Sequence, residues 1–164
     1  MKLLNLFITI VFISNYVFAQ SKKNIRKFNI KVEIETIQEG NINYKSEQTT
    51  FDANGNEIEW IKFNKDGSIK KKKTTKYDKK DNPVEIMEYD GNQLVKKIIM
   101  TYNNFDEKIS EITYDGSGQI IKKELFTYNN KGLKSEKKVF DKNDKLIETH
   151  IYQYYTSKNK NSDN

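Results

Sequence analysis

The feature that most constrains this chain is an internal repeat of about 26 residues, marked by aromatic side chains. One aromatic series is spaced 26, 25, 26 and 26 residues apart: Phe51, Tyr77, Tyr102, Tyr128 and Tyr154. A second series lies between its members, with spacings of 26, 25 and 26: Phe63, Tyr89, Tyr114 and Phe140. A fixed period of this length is typical of repeat proteins, in which each unit packs mainly on its neighbours.

Each repeat unit has two arms, and each arm carries a turn signal followed by a strand signal. Four residues after each aromatic of the first arm stands a residue that suits a tight or left-handed turn: Gly55, Asp81, Asp106 and Gly132. An aliphatic residue then returns eight residues before the next aromatic: Ile69, Leu94, Ile120 and Leu146. Short strands divided by regular turns predict an antiparallel meander.

The predicted fold class is therefore all-β, with about nine or ten antiparallel strands in one sheet. We place the strands at 28–37, 42–51, 57–63, 68–77, 84–90, 94–103, 108–115, 120–129, 133–141 and 145–155. Long-arm strands carry apolar residues on both faces, so the sheet is expected to twist and to curl on itself or form an open barrel. No substantial helix is expected.

The two ends of the chain differ from the repeat. Residues 1–19 have the positive start, apolar stretch and small residues at Val17 and Ala19 that are typical of a secretory signal peptide cut before Gln20. The apolar stretch is shorter than the roughly 20 residues that cross a membrane. The predicted organisation continues with a linker and capping hairpin at 20–50, the four-unit repeat domain at 51–155, and a disordered tail at 156–164. We expect export to the periplasm or beyond, with no membrane-spanning segment after cleavage.

The amino-acid composition excludes several kinds of functional site. The absence of cysteine removes disulfides, thiolate nucleophiles and cysteine metal sites. The formal net charge of +6 allows attraction to polyanions such as acidic glycans, although a lysine-rich solvated surface has the same composition. No specific role with nucleic acid is expected.

Two stretches resemble a known repeat. "YDKKDNPVEIMEYDGNQL" and "TYDGSGQIIKKELFTYNNKGL" resemble the YD (RHS-type) repeats of exported bacterial surface and toxin-associated proteins, and the likeness covers about residues 51–155. The resemblance implies a β-hairpin repeat in a spiralling sheet, cell-surface interaction and carbohydrate binding. The unit here is longer and less rich in glycine, and four units are too few to enclose a cargo as the large members of that family do.

Catalytic residue types are scarce. His150 is the only histidine, and without a positioned partner it forms neither a triad nor a metal site. Two carboxylates suffice for a glycosidase, so a small exported hydrolase is the alternative function. The candidate carboxylates follow a repeat aromatic in unit after unit, which favours a role in the turns: Asp52, Asp78, Asp90, Asp115 and Asp141. We predict no catalytic residue, no metal site and no cofactor.

Lysine doublets recur at one place in successive units: Lys71 and Lys72, Lys96 and Lys97, and Lys122 and Lys123. Equivalent arms lie two strands apart, about 9.6 Å, so the doublets predict a row of ammonium groups across the sheet. Together with Trp60, the only tryptophan, they are the predicted contacts for a glycan or polyanion.

Ion pairing across strands is the competing interpretation of these lysines. If each aromatic pairs with the aliphatic residue after its turn, a regular register places Glu111 opposite Lys123 and Lys138 opposite Glu148. It also places Trp60 against Lys72 as a cation–π pair. Exposed cross-strand pairs of this kind contribute only about 0.2–1 kcal/mol each.

The sequence therefore predicts an exported, non-enzymatic binding or structural module of the bacterial cell envelope. The expected partners are a cell-surface glycan, a polyanion or an envelope protein. Association through the edge strands of the sheet is a further expectation, because an unpaired strand offers free backbone groups.

Overall fold

The computed structural model describes residues 18–155, which form one helix and ten strands. The helix α1 spans Phe18–Lys27. The strands are β1 (Val32–Glu39), β2 (Ile42–Phe51), β3 (Glu57–Phe63), β4 (Ile69–Tyr77), β5 (Pro83–Asp90), β6 (Gln93–Tyr102), β7 (Lys108–Asp115), β8 (Ile120–Tyr128), β9 (Lys134–Asp141) and β10 (Leu146–Ile151).

The ten strands form a single antiparallel sheet in which each strand pairs with its neighbours in sequence, so the order runs from β1 to β10. This confirms the predicted all-β meander, and most strand bounds agree within one or two residues. The outer strands differ more, since β1 begins at Val32 and β10 ends at Ile151. In the described residues β1 and β10 do not pair with each other, so the sheet is not closed into a barrel. The predicted signal segment up to Val17 and the predicted tail at 156–164 lie outside the described residues.

Seven of the hairpin turns share one five-residue geometry. Their fourth residue has a left-handed backbone, as predicted for Gly55, Asp81, Asp106 and Gly132, whose φ angles are 74°, 65°, 64° and 72°. In six of the turns a side-chain oxygen of the first residue accepts the backbone N–H groups of the third and fifth residues: Asp52, Asp78, Asn103, Asp115, Asn129 and Asp141. Short polar side chains thus replace the hydrogen bonds that the backbone lacks at a turn.

Because of a β-bulge after the turn, several cross-strand pairs differ from the predicted ones. The predicted aromatic–aliphatic pairs are present, for example Tyr114 opposite Ile120, but one extra residue in the long arm then shifts the register. Three predicted pairs are therefore wrong: Trp60 lies opposite Lys73 and not Lys72, Glu111 opposite Glu124 and not Lys123, and Lys138 opposite Thr149 and not Glu148.

The tyrosines at the ends of the long arms each bind the backbone at the start of the preceding short arm. Each hydroxyl donates to a backbone carbonyl at the start of the preceding strand, at 2.8–3.0 Å, in four pairs: Tyr77 to Glu57, Tyr102 to Pro83, Tyr128 to Lys108, and Tyr154 to Lys134. Each of these carbonyls belongs to a residue next to a register shift of the ladder, and the hydroxyl gives it a hydrogen-bond partner. This bond gives a physical reason for a tyrosine, and not only an aromatic, at these repeat positions.

The sheet is a single layer with little buried apolar surface. Among the side chains of residues 22–155, the buried apolar ones are Ile25, Phe51, Met100, Phe126 and Val139. The apolar bulge residues of three successive long arms remain 43–53% exposed: Val95, Ile121 and Ile147. Cross-strand side-chain pairs consequently carry more of the stability than in a sheet that is covered by a second layer.

Helix α1 was not predicted, and it packs on the turn between β2 and β3. Ile25 is only 5% exposed, and the Lys22 ammonium donates to the Asn56 side-chain oxygen at 2.5 Å. The same ammonium lies 3.7 Å from Asp81 in the next turn along this edge. The helix therefore covers the first two turns on one side of the sheet.

Replacing Gly55 by alanine should be more destabilising than replacing Gly67, which holds the same position in another turn. Both glycines have positive φ, 74° and 83°, so alanine at either position costs about 1–2 kcal/mol of backbone strain. At Gly55 the added methyl would also lie 2.9 Å from Arg26 Cγ and 3.1 Å from the Lys22 carbonyl, whereas at Gly67 nothing lies within 4 Å.

Urea unfolding of the two variants measures this difference. We expect the midpoint of Gly55→Ala to lie below that of Gly67→Ala. Equal midpoints would show that α1 does not rest on the turn in solution.

Candidate binding groove around Trp60

The predicted lysine positions run diagonally across the sheet. Lys96 lies opposite Glu88, and Glu88 lies opposite Lys73, so Lys96 shares a row with Lys73 and not with Lys71. Each repeat thus displaces its doublet by two residues along the strand. Combined with two strand spacings, this places equivalent lysines about 12 Å apart. The predicted straight row of ammonium groups is therefore corrected to a staggered one.

Most of the predicted lysines already have a partner. Four lie within 2.9–3.2 Å of a carboxylate oxygen: Lys96 with Glu88, Lys97 with Glu85, Lys122 with Glu124, and Lys123 with Asp144. Lys72 lies over the Tyr89 ring, 4.4 Å from its centroid. Lys71 is exposed, and no carboxylate of residues 18–155 lies within 4.0 Å of its ammonium group. These contacts favour ion pairing for the doublets at 96–97 and 122–123.

Two of the paired carboxylates, Glu85 and Glu124, are stabilised in their charged form. The pKa of Glu85 is lowered, chiefly because the Lys76 ammonium group lies 2.7 Å from its Oε1. Burial raises the pKa of Glu124, but the nearby Lys122 and Lys137 ammonium groups, at 3.0 and 3.3 Å, outweigh the burial and lower the pKa overall. A bound polyanion would have to compete with these fixed internal partners.

Trp60, Lys71 and Lys72 are the predicted residues that the fold brings together. They line a groove of about 1050 Å³ on strands β2 to β6. We call this hollow the Trp60 groove. Its other lining residues are Glu47, Glu57, Lys62, Lys73, Glu88, Tyr89, Asp90 and Val95.

The indole of Trp60 is fixed within the groove by a neighbouring strand. Trp60 is half-buried in the middle of β3, and its Nε1–H donates to Glu47 Oε2 on β2 at 3.0 Å. The other oxygen of Glu47 accepts from the Lys62 ammonium at 2.9 Å, and this bond raises the pKa of Lys62. Because Glu47 bridges both groups, the indole plane is positioned before any ligand arrives.

The charges that line the groove balance. The lining residues include four lysines (62, 71, 72 and 73) and four carboxylates (47, 57, 88 and 90). Lys73 pairs with Glu57 at 2.8 Å, and Lys62 pairs with Glu47. The groove therefore offers many hydrogen-bond donors and acceptors around an aromatic side chain, with no strong excess of positive charge.

Sequence reasoning identified Trp60 but missed the groups that build its surroundings. Glu47 lies in the segment interpreted as a cap, outside the recognised repeat. Lys62 and Lys73 were not distinguished from the other charged residues of the strands. Lys73 lies opposite Trp60 only because of the bulge register, which no sequence signal marks.

In the described residues, the turn aspartates and His150, which were considered as catalytic groups, have structural contacts of their own. Asp52, Asp78, Asp115 and Asp141 bind the backbone of their own turns. His150 lies exposed on β10, and its Nε2 is 2.9 Å from the carboxylate of Glu148 on the same strand. Within residues 18–155, no group of three or more potential ligands could hold a metal ion, and no helix is long and apolar enough to cross a membrane.

Solved structures to which this chain is similar include crystal structures of TarM and of a protein from Bacteroides fragilis. No family model and no curated protein matches the sequence. A crystal structure of TarM shares 20% identity over 77% of this chain and 22% of its own, with a TM-score of 0.33. A mutant of S. aureus TarM in complex with fondaparinux, α-GlcNAc-glycerol and UDP shares 19% identity over 77% and 23%, with a TM-score of 0.32.

A further similarity is to a protein of unknown function from Bacteroides fragilis NCTC 9343. It shares 12% identity over 77% of this chain and 96% of its own, with a TM-score of 0.43. This chain thus spans less than a quarter of the two TarM structures and nearly all of the Bacteroides protein. At these TM-scores the similarities define neither a family nor an activity.

Proposed function

We propose that this chain is an exported, non-enzymatic binding module of the bacterial cell envelope, and that the Trp60 groove binds a glycan. The observation that carries the proposal is the half-buried Trp60 indole, held by Glu47 at 3.0 Å among charged groups of both signs. An aromatic face with nearby hydrogen-bonding groups can pack against the apolar face of a sugar ring while its hydroxyls are bound at the edges.

A glycan fits the groove better than a strong polyanion does. The lining charges balance, and four of the six predicted lysines are engaged by carboxylates. Lys71 remains available to bind a hydroxyl or a single acidic group on the ligand. The resemblance to YD repeats, with its association with carbohydrate binding at the cell surface, supports the same class of ligand.

Binding of the purified protein to a panel of neutral and acidic glycans and linear polyanions, at low and high salt, tests the proposal. We expect glycan binding that changes little with salt, because stacking and neutral hydrogen bonds are weakly screened. Binding that falls steeply with salt and again in a variant with Lys71, Lys96 and Lys122 all changed to glutamine would contradict it. Such a result would assign the function to the staggered lysines.

Export is the second part of the proposal. We expect the native protein to begin at Gln20, because Val17 and Ala19 supply the small residues that signal peptidase requires. N-terminal sequencing of the protein from its own cell measures this directly. An intact Met1 in the soluble cytoplasmic fraction would contradict export.

A further inference from the structure

The sheet has two uncovered edges in the described residues. The outer strands β1 and β10 each pair on one side only, and every residue of both is exposed. Neither strand contains lysine or proline, residues that commonly block pairing at an edge. Apolar side chains stand out from both, including Ile34 at 56% and Ile151 at 74% exposure.

In the described residues, β10 lacks the second neighbouring strand that every earlier long arm has. Each earlier long arm, β2, β4, β6 and β8, has a short arm on its far side. In β8, residues from Lys122 to Tyr128 pair with the following short arm β9. Residues 148–154 hold the equivalent positions 26 residues later, but no strand of residues 18–155 lies beyond them.

Strand β1 has the sequence of such a short arm. Its "VEI" at residues 32–34 repeats the "VEI" at 84–86 of β5, and both hairpins then turn through a Gly-Asn pair. The turn glycines, Gly40 and Gly91, have nearly equal φ angles of 59° and 57°. The hairpin β1–β2 is therefore a variant of β5–β6, the hairpin that follows the long arm β4.

We infer that two copies of this chain associate head to tail, with β10 of one copy pairing with β1 of the next. The ten strands alternate in direction, so β1 of a copy in the same orientation runs antiparallel to β10 and continues the meander. The pairing of Thr75 with Ile86 in β4–β5, carried to the equivalent positions, places Tyr152, the residue directly after β10, opposite Ile34 of the next copy. Both side chains are exposed in the single chain, at 36% and 56%.

The contact joins two different edges, so it leaves one of each edge free and can propagate to longer assemblies. This separates it from a two-fold dimer, in which β10 would pair with β10 and association would stop at two chains. The inference is independent of the glycan proposal, because the Trp60 groove lies on β2 to β6.

Sedimentation velocity of the purified protein, measured over a range of concentrations, tests the association. We expect the mean mass to rise with concentration beyond that of a dimer. Ile34→Lys and Ile151→Lys should each leave only monomer, because each blocks one of the two edges. A mixture of these two variants should form pairs and nothing larger, since one free β10 edge meets one free β1 edge. Ile121→Lys, on the internal strand β8 with 49% exposure, is the control that should associate like the parent.

Disulfide trapping provides a second measurement. The chain has no cysteine, so a variant with both Ile34→Cys and Tyr152→Cys should form a ladder of linked chains under oxidising conditions. Either single variant should form no ladder. A parent protein that stays monomeric at all concentrations would overturn the inference, as would Ile34→Lys that still dimerises, because the latter requires pairing between two β10 edges.

Discussion

Replacing Phe126 by alanine is expected to lower the free energy of unfolding by about 3 kcal/mol, as for other large buried aromatics. Phe126 is 7% exposed in a sheet that has few buried apolar side chains. The ammonium groups of Lys108 and Lys134 each lie 4.9 Å from the centroid of its ring. Alanine would remove the packing surface and both cation–π contacts, and no second layer can collapse into the gap.

Chemical unfolding monitored by far-UV circular dichroism measures this loss. Phe105→Ala is the matched control, because Phe105 is 83% exposed in the turn between β6 and β7. We expect its unfolding free energy to stay within about 0.5 kcal/mol of the parent value. Equal effects of the two substitutions would show that the few buried residues do not form the stabilising core of this sheet.

Replacing Trp60 by alanine is expected to weaken glycan binding by about thirtyfold, or about 2 kcal/mol, the loss typical of a central tryptophan in a binding site. The substitution removes the aromatic face and leaves Glu47 with Lys62 as its partner. Isothermal titration calorimetry with a glycan found on the panel measures the change. Because Trp60 is half-buried, the thermal unfolding of the variant must be measured alongside.

Two substitutions separate stacking from charge at this site. Trp60→Phe keeps an aromatic face but loses the indole N–H, so an intermediate affinity is expected. Lys71→Gln removes the exposed charge and should change affinity for a neutral glycan only slightly. A glycan affinity that is unchanged in Trp60→Ala but lost in Lys71→Gln would contradict the stacking site.

The regularity of the sequence explains why the strands and turns could be predicted. Every turn is built from nearby residues, such as Asp115, whose side chain binds the backbone N–H groups of Ser117 and Gln119. Local chemistry of this kind is visible in the order of residues. The long-arm tyrosines and aliphatics likewise mark the strand ends.

The register beyond each turn could not be predicted because the bulge has no distinctive sequence. The extra residues Val95, Ile121 and Ile147 resemble ordinary strand residues, and their exposure of 43–53% follows only from the fold. In β4 the extra residue is Lys70, and it moves the partner of Trp60 from Lys72 to Lys73. The site around Trp60 depends on this shift and on Glu47, which lies on a strand outside the recognisable repeat.

Helix α1 was missed for a different physical reason. Its sequence, "FAQSKKNIRK", has few apolar residues, and a helix of 10 residues is marginal by itself in water. Its support comes from the contact of Ile25 and Lys22 with a turn some 30 residues later. No local pattern in the sequence indicates that contact.

The fluorescence of Trp60 during titration with the glycan panel is the most direct test of the proposed function, because the chain has no other tryptophan. We predict a saturable change in the emission of the parent protein, with the same dissociation constant as calorimetry and little dependence on salt. Glycan binding detected by calorimetry without any change in this emission would place the ligand elsewhere on the sheet and contradict the Trp60 groove. Failure of every glycan to bind would contradict the function itself.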